Sequence, residues 1–437
     1  MDKLCVSGQQ SSPLQILRRS EIFMEPAEAK EYDVSAVPVR GIVGKALFSS
    51  RHVEWHDRNR RLVNSAFSMT QAIRYEPWVN ENITLFIEQM RNRFVAKTEL
   101  GATMNLMEWA TYFAFEGIHV ITFGERVGYI EEGRDVNGVI ANVKRMVDWF
   151  LYTSRVTIID QLTLKNPIFL WLNKHGWFDP PNPFMPILKH QFFERQEHWK
   201  GIKGRPADRD TLNDLFLKTQ QEHPEVTDFR PITHSMSVVG AGVEATAITI
   251  CSIFYSLLKN RRCYTKLKEE LNSQLGDSTD ISFTVAQSLP YLNAVIHESM
   301  RCHMVTRLPF TRETPADGLT ICGIWVLPGI SVGVYEPVVH RNKEIFGDDV
   351  DVFRPERWLD DKEKAKQMAN TLFHFGYGKY SCLGNNIARL EILKLIQSVL
   401  REFDLSLVEP DKDWILENGA FSPPVELKIK LQPRNLR

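Results

Sequence analysis

The segment from Pro231 to Leu258, PITHSMSVVGAGVEATAITICSIFYSLL, is apolar on nearly every side when wound as a helix. A surface helix needs one apolar stripe. A helix that is apolar all round must be wrapped by other elements, so this stretch demands a large core with itself near the centre. Pro231 suits the first helical turn, where its missing N–H leaves nothing unsatisfied. Two features oppose a plain core helix: the Gly240-Ala241-Gly242 cluster, which weakens it, and the lone carboxylate of Glu244, which is costly to bury. Local choices that conflict with their surroundings mark a site.

The remainder of the chain supplies the wrapping. It has 437 residues, 43% hydrophobic and 24% charged, an ordinary globular balance. From Val53 onward, apolar residues recur at three- and four-residue steps in HDRNRRLVNSAF, ENITLFIEQMRNRFVAK and LMEWATYFAFEGIHVITFG, which predicts successive packed helices. Stretches around Gly201 to Ala207 and Glu222 to Pro231 read as loops bracketing a helix near Asn213 to Gln221. YTKLKEELNSQL and LPYLNAVIHESMRCH are helical, and LTICGIWVLPGISVGVYEPVV has β-branched runs broken by Pro328-Gly329, as in a hairpin. The first 50 residues mix short apolar runs with Pro and Gly and carry no assignment. No linker divides two cores, so the expectation is a single unit over residues 1–437, mainly α with small β-sheets.

Charge and cysteine usage exclude several classes. With 53 basic and 54 acidic residues the net charge is -1, leaving no footprint for nucleic acid and no polybasic membrane patch. Cys5, Cys251, Cys263, Cys302, Cys322 and Cys382 contain no C-x-x-C pair, so neither a disulfide framework nor a zinc site is expected, and the compartment is expected to be reducing. The N-terminal MDKLCVSGQQSSPLQILRRSEIF has no apolar run of membrane-spanning length, and no membrane anchor is expected. A nucleotide site on Gly41-Ile42-Val43-Gly44-Lys45 or Gly376-Tyr377-Gly378 lacks a complete phosphate-binding fingerprint. Phe113 and Phe115 are expected in the core rather than in a pocket.

The most specific signal is F-G-Y-G-K-Y-S-C-L-G, Phe375 to Gly384, leading into the helical NIARLEILKLIQSVL. Its fixed identities, Phe375, Gly378, Cys382 and Gly384, recur by chance on the order of 10⁻³ times in a chain of this composition. Glycines permit tight turns and close approach to a flat cofactor, and a cysteine just before a helix sits where the dipole favours thiolate. A thiolate so placed suits soft metal ligation; on haem iron it donates electron density that favours O–O cleavage. A second pattern, Glu298-x-x-Arg301, puts two opposite charges on one helix face. The run FRPERW, Phe353 to Trp358, follows.

These motifs, in this order, resemble those of the cytochrome P-450 superfamily, whose haem loop reads F-x-x-G-x-R-x-C-x-G. The resemblance implies a helix-rich haem-thiolate fold and haem b (iron protoporphyrin IX) with Cys382 as proximal metal ligand. It also implies a buried network of Glu298, Arg301 and Arg357 beneath the haem loop. Tyr380 stands where the family has Arg, leaving the propionate contact to a phenol or to Lys379. His56 and Arg60 in HDRNRR fall on the family's W-x-x-x-R positions, and Arg312 falls where a base contacts the second propionate. Ala241-Gly242-Val243-Glu244-Ala245-Thr246 resembles the oxygen-binding stretch, which carries Gly242, Glu244 and Thr246 into the candidate catalytic set. The proton-delivering hydroxyl is replaced by Ala245, and Thr246, one residue on, faces elsewhere.

RRLVNSAFSM, TFGERVGYIEEGRDVNGVI and VHRNKEIFGDDVDVFRPERW are similar to the pisatin demethylase-like group of fungal enzymes. That implies a monooxygenase of secondary metabolism, hydroxylating or demethylating a small apolar molecule with dioxygen and electrons from an NADPH-dependent reductase. By family it would work at the endoplasmic reticulum membrane surface, with a cytoplasmic location open for a chain whose anchor and first strands are not apparent and which is expected to be N-terminally short. Two alternatives stay open: a haem-thiolate isomerase or dehydratase that needs no reductase, and a truncated, non-catalytic haem-binding protein.

Overall fold

The computed structural model describes residues 38–39, 42–43, 46–48, 50–95, 103–154, 156–177, 184–201, 210–275, 281–321 and 323–434. The expectations placed on the N-terminal segment, on residues 202–209, on Cys5 and Cys322, and on Gly41, Gly44 and Lys45 lie outside these residues.

Helices dominate, as the periodicity predicts. Those that position the site are α1 (Val53–Val63), α2 (Glu76–Met90), α3 (Leu106–Phe123), α4 (Val139–Thr153), α5 (Pro231–Gly242), α6 (Glu244–Lys259), α7 (Pro290–Cys302) and α8 (Asn385–Glu402). The caps explain their limits. Asn105 accepts the Met107 N–H at 3.3 Å to start α3, and Gly124, at φ +82°, ends it by returning its N–H to the Val120 carbonyl. Prolines 231 and 290 occupy first turns.

The apolar stretch is the central helix. Its α6 half packs on α3 and α7, its α5 half packs on α3, and Ala247, Ile250, Ile253 and Leu257 are fully buried. Residues 231–259 form the one helix among the described residues long and apolar enough to cross a membrane, and it lies in the core. The interruption expected from the glycines and Glu244 falls at Val243, between α5 and α6. Phe113 and Phe115 are core residues. One hydrophobic cluster runs from Val63 to Leu431.

The strands form small antiparallel sheets: β1 (Pro38–Val39) with β2 (Ile42–Val43), β3 (Thr103–Asn105) with β9 (Lys428–Pro433) and β8 (Phe403–Leu407), β4 (Phe310–Glu313) with β7 (Ser331–Val334), and β5 (Leu319–Ile321) with β6 (Ile324–Val326). The first pair lies in the stretch that the sequence left unassigned. Pro328-Gly329 does not turn a hairpin, contrary to expectation. The hairpin is β5–β6, which turns before Ile324 with Gly323 at φ +79°, while β7 leaves to pair with β4. Thr314 explains the difference. Its hydroxyl donates to the Leu327 carbonyl at 2.6 Å and accepts the Ile330 N–H at 2.9 Å, so the Pro-Gly segment is held as a crossing between sheets.

Candidate active site around Cys382

Cys382 ends a loop whose turns require glycine. Gly376 and Gly378 have φ +67° and +65°, a region costly for residues with a Cβ. The Cys382 N–H donates to the Phe375 carbonyl at 2.7 Å and closes the loop. Two residues on, Gly384 caps α8, an 18-residue helix. The nearby backbone N–H groups of Gly384 and Asn385 and the positive potential of Arg60 favour the charged sulfur. Desolvation outweighs these and leaves the thiol above its ordinary value. Cys382 is nevertheless exposed. Desolvation and exposure together fit a thiol lining an interior hollow rather than the outer surface.

Beneath the loop lies the charged network. Glu298, fully buried on α7, accepts from Arg301 Nε and Nη2 at 2.9 and 2.8 Å, Arg357 Nε at 2.9 Å, Trp358 Nε1 at 2.9 Å and the Arg354 N–H at 3.0 Å. The two guanidinium groups then donate to carbonyls: Arg301 to His340 and Val350 at 3.1 and 2.7 Å, and Arg357 to Phe346, Asp349 and Val352. His340 links this network to the loop, because its Nε2 accepts the Phe373 N–H at 2.9 Å. Burial lowers the His340 pKa to about 3, so it is the neutral imidazole that this bond needs.

Basic side chains also converge on the loop, at Tyr380 and Ser381. His56 is 1% exposed and Arg312 is 4% exposed, so neither is ordinary surface charge. Arg60 donates to Ser381 Oγ at 3.2 Å. Burial lowers the pKa of both His56 and Arg60. The His56 ring lies 4.4 Å from the Tyr380 ring, centroid to centroid, and the Arg312 guanidinium carbon is 4.5 Å from the same ring centroid. Lys379 turns toward α1, 3.9 Å from Asp57.

On the central helix, a Cβ at Gly242 would lie 3.0 Å from Ile118 Cγ1, so this glycine serves the close approach of α5 to α3. Glu244 is half-buried, and desolvation raises its pKa to about 7, with Lys144 opposing and Glu417 and Asp148 adding to the rise. Thr246 is buried.

A model of the cytochrome P450 family matches residues 24–431. The chain belongs to the cytochrome P450 family. Curated relatives are cytochrome P450 monooxygenases of fungi. One from Aspergillus terreus is 33% identical over 379 residues, covering 86% of this chain and 76% of that protein. The monooxygenase cicH of Emericella nidulans is 31% identical, with 94% and 82% covered. The monooxygenase mpaDE of Penicillium roqueforti is 32% identical over 89% of this chain, which spans 45% of that protein's length.

P450 proteins carry a cysteine-ligated haem, and the residues here fit one. A soft sulfur lies just before a helix start, beside backbone N–H groups and Arg60 that favour the thiolate form in which a cysteine binds iron. A Cβ at Gly384 would meet nothing within 4 Å, leaving room beside that sulfur. Arg60 and Arg312 converge on the same loop, as two carboxylates require.

Sequence reasoning missed His340 and a second bridge. Thr249 Oγ1 donates to the Ala245 carbonyl at 2.8 Å and lies 3.4 Å from His374 Nε2, tying the central helix to the segment before the Cys loop. Only the one-turn spacing from Ala245 hints at Thr249.

Proposed function

We propose that this P450 monooxygenase holds haem b on Cys382 and uses it to hydroxylate or demethylate a small apolar molecule of fungal secondary metabolism, with electrons from an NADPH-dependent reductase. The observation that carries the reading is Cys382 two residues before Gly384, the cap of α8, its loop tied through His340 to the Glu298 network. Phe375, Gly378 and Gly384 shape the loop. His56, Arg60, Arg312 and Tyr380 would hold the haem carboxylates, and Glu298, Arg301 and Arg357 form the supporting frame. When bound, the haem would supply insertion of one atom of dioxygen into a C–H bond, the other atom leaving as water with two electrons from NADPH and two protons.

The chain's own groups order the protons. Glu244, poised near neutral pH, can hold or release one at its carboxyl oxygens. Ala245 offers no hydroxyl beside it; Thr246 shares the helix but faces elsewhere, so water or substrate completes the relay. The whole chain acts as one catalytic domain. Tyr152, Ile158, Leu162, Ile168, Trp171 and Trp177 are exposed on α4, Thr157–Leu162, Pro167–Lys174 and the residues after it. This suits an endoplasmic reticulum membrane surface.

The test is NADPH oxidation with a fungal reductase and a panel of apolar polycyclic and phenolic compounds, read with labelled dioxygen. Substrate-dependent NADPH consumption with label in the product is the expected result. Turnover without NADPH and without label would replace this reading with the haem-thiolate isomerase or dehydratase that Ala245 favours.

A further inference from the structure

The family pattern places a cation two residues before the cysteine, and this chain has Tyr380. The surroundings of that ring show how a phenol can serve there. Three other cations lie near the loop. Lys379 stands 3.9 Å from Asp57, which also holds His56 Nδ1 at 3.0 Å, and its ammonium is 5.8 Å from the Tyr380 ring centroid, farther than Arg312. Arg60 is fixed by Ser381 on the cysteine side. Arg312, on β4, donates Nη1 to the Thr311 carbonyl at 2.7 Å and lays its guanidinium on the Tyr380 ring at 4.5 Å. The Tyr380 ring itself is backed by the imidazole of His56 at 4.4 Å, and His56 is anchored on α1. A guanidinium on a flexible stem points where its contacts send it; stacked on an aromatic face in a water-poor setting, its direction is set by that face.

We infer that Tyr380 is a positioning residue. With His56 packed beside it, its ring holds the Arg312 guanidinium in register for a haem carboxylate, so the charge missing from the loop is supplied from β4 through a packed His56, Tyr380 and Arg312 unit. This rests on the haem reading above. What matters at position 380 is the flat ring rather than the hydroxyl. Arg312 and Tyr380 then act as one device, and their removal is not additive.

The experiment follows haem transfer from the oxidised full-length holoprotein to apomyoglobin, and compares haem with its dimethyl ester, which lacks the carboxylate charges. Wild type is expected to retain haem better than the ester by about tenfold, Tyr380→Phe to keep that ratio within about twofold, and Tyr380→Leu and Arg312→Gln each to erase most of it. The double variant is expected to lose no more than either single one. Should Tyr380→Leu fail to fold, Tyr380→Phe together with Arg312→Gln decides: a ratio kept by the first and lost by the second supports the device, and any other pattern overturns it. A ratio unchanged in Tyr380→Leu, or losses that multiply in the double variant, overturns the inference while leaving the haem reading intact. A wild-type chain that takes up no haem overturns both.

Discussion

Glu244 is a residue whose charge state the fold sets. Its ordinary pKa is 4.5 and burial raises it to about 7, so between those values the folded chain keeps a proton that the unfolded chain has lost. The neutral form is the one that folding favours. The resulting contribution is complete below the unfolded value and is lost as pH rises through the folded one. Glu244→Gln, which cannot ionise, is therefore expected to match wild type in stability near about pH 5 and to exceed it by on the order of 1–2 kcal/mol near about pH 8. Unfolding by denaturant at the two pH values reads this directly, and parallel stabilities across the range would contradict it. The sequence made this residue visible, because a carboxylate in an apolar helix is conspicuous. It did not reveal Lys144 and Glu417, which face the carboxylate from a hundred residues before and more than that after, and which ion-pair with each other at 2.6 Å.

At the scale of elements, the network on Glu298 joins α7 to the Arg357 segment and to the Cys loop. Removing one partner of a buried ion cluster leaves the rest unpaired, so Glu298→Gln is expected to lose about 3–5 kcal/mol of stability. Arg357→Lys is expected to lose nearly as much, because an ammonium cannot span Glu298, Phe346 and Asp349 as a planar guanidinium does. Thermal or denaturant unfolding checks both; a loss below about 1 kcal/mol for Glu298→Gln would show that the network is not the frame described here.

Helix packing gives a second test. A Cβ at Gly117 on α3 would lie 2.4 Å from Glu391 Oε1 and 3.3 Å from Asn82 Nδ2, and Glu391 is buried on α8. Gly117→Ala gains about 1 kcal/mol of helix propensity but overpacks a three-helix junction at about 1–3 kcal/mol, so a lower melting temperature is expected. A raised one would mean that Glu391 has room to yield.

Elements with their own periodicity or a fixed motif were readable: the central helix with its interruption, the Cys loop, Glu298-x-x-Arg301 and Arg357. Pairings between distant segments were not. β7 chooses β4 rather than its neighbour because Thr314 captures the Pro-Gly segment, and no local pattern announces that choice. The resemblance marked His56 and Arg312 as partners of the haem carboxylates, but their burial and their shared contact with Tyr380 appear only in the fold, and the Thr249–His374 bridge spans 125 residues.

For the whole molecule, one hydrophobic cluster from Val63 to Leu431 surrounds a central helix, and the Cys loop sits where that helix, α7 and α8 are bound together. Long-range bonds fix the loop and the start of α8: His340 from the charged frame, Arg60 from α1, and Asn386, whose side chain donates to the Phe67 carbonyl at 2.9 Å and ties α8 to the turn after α1. The most direct test of that arrangement is the difference spectrum of the reduced, carbon monoxide-bound full-length protein, with Cys382→Ala beside it. A long-wavelength Soret band characteristic of thiolate-ligated haem in the wild type, lost in the variant while the chain stays folded, is the predicted result. A folded wild type without that band, or a variant that keeps it, would contradict the assignment of Cys382 as the haem ligand.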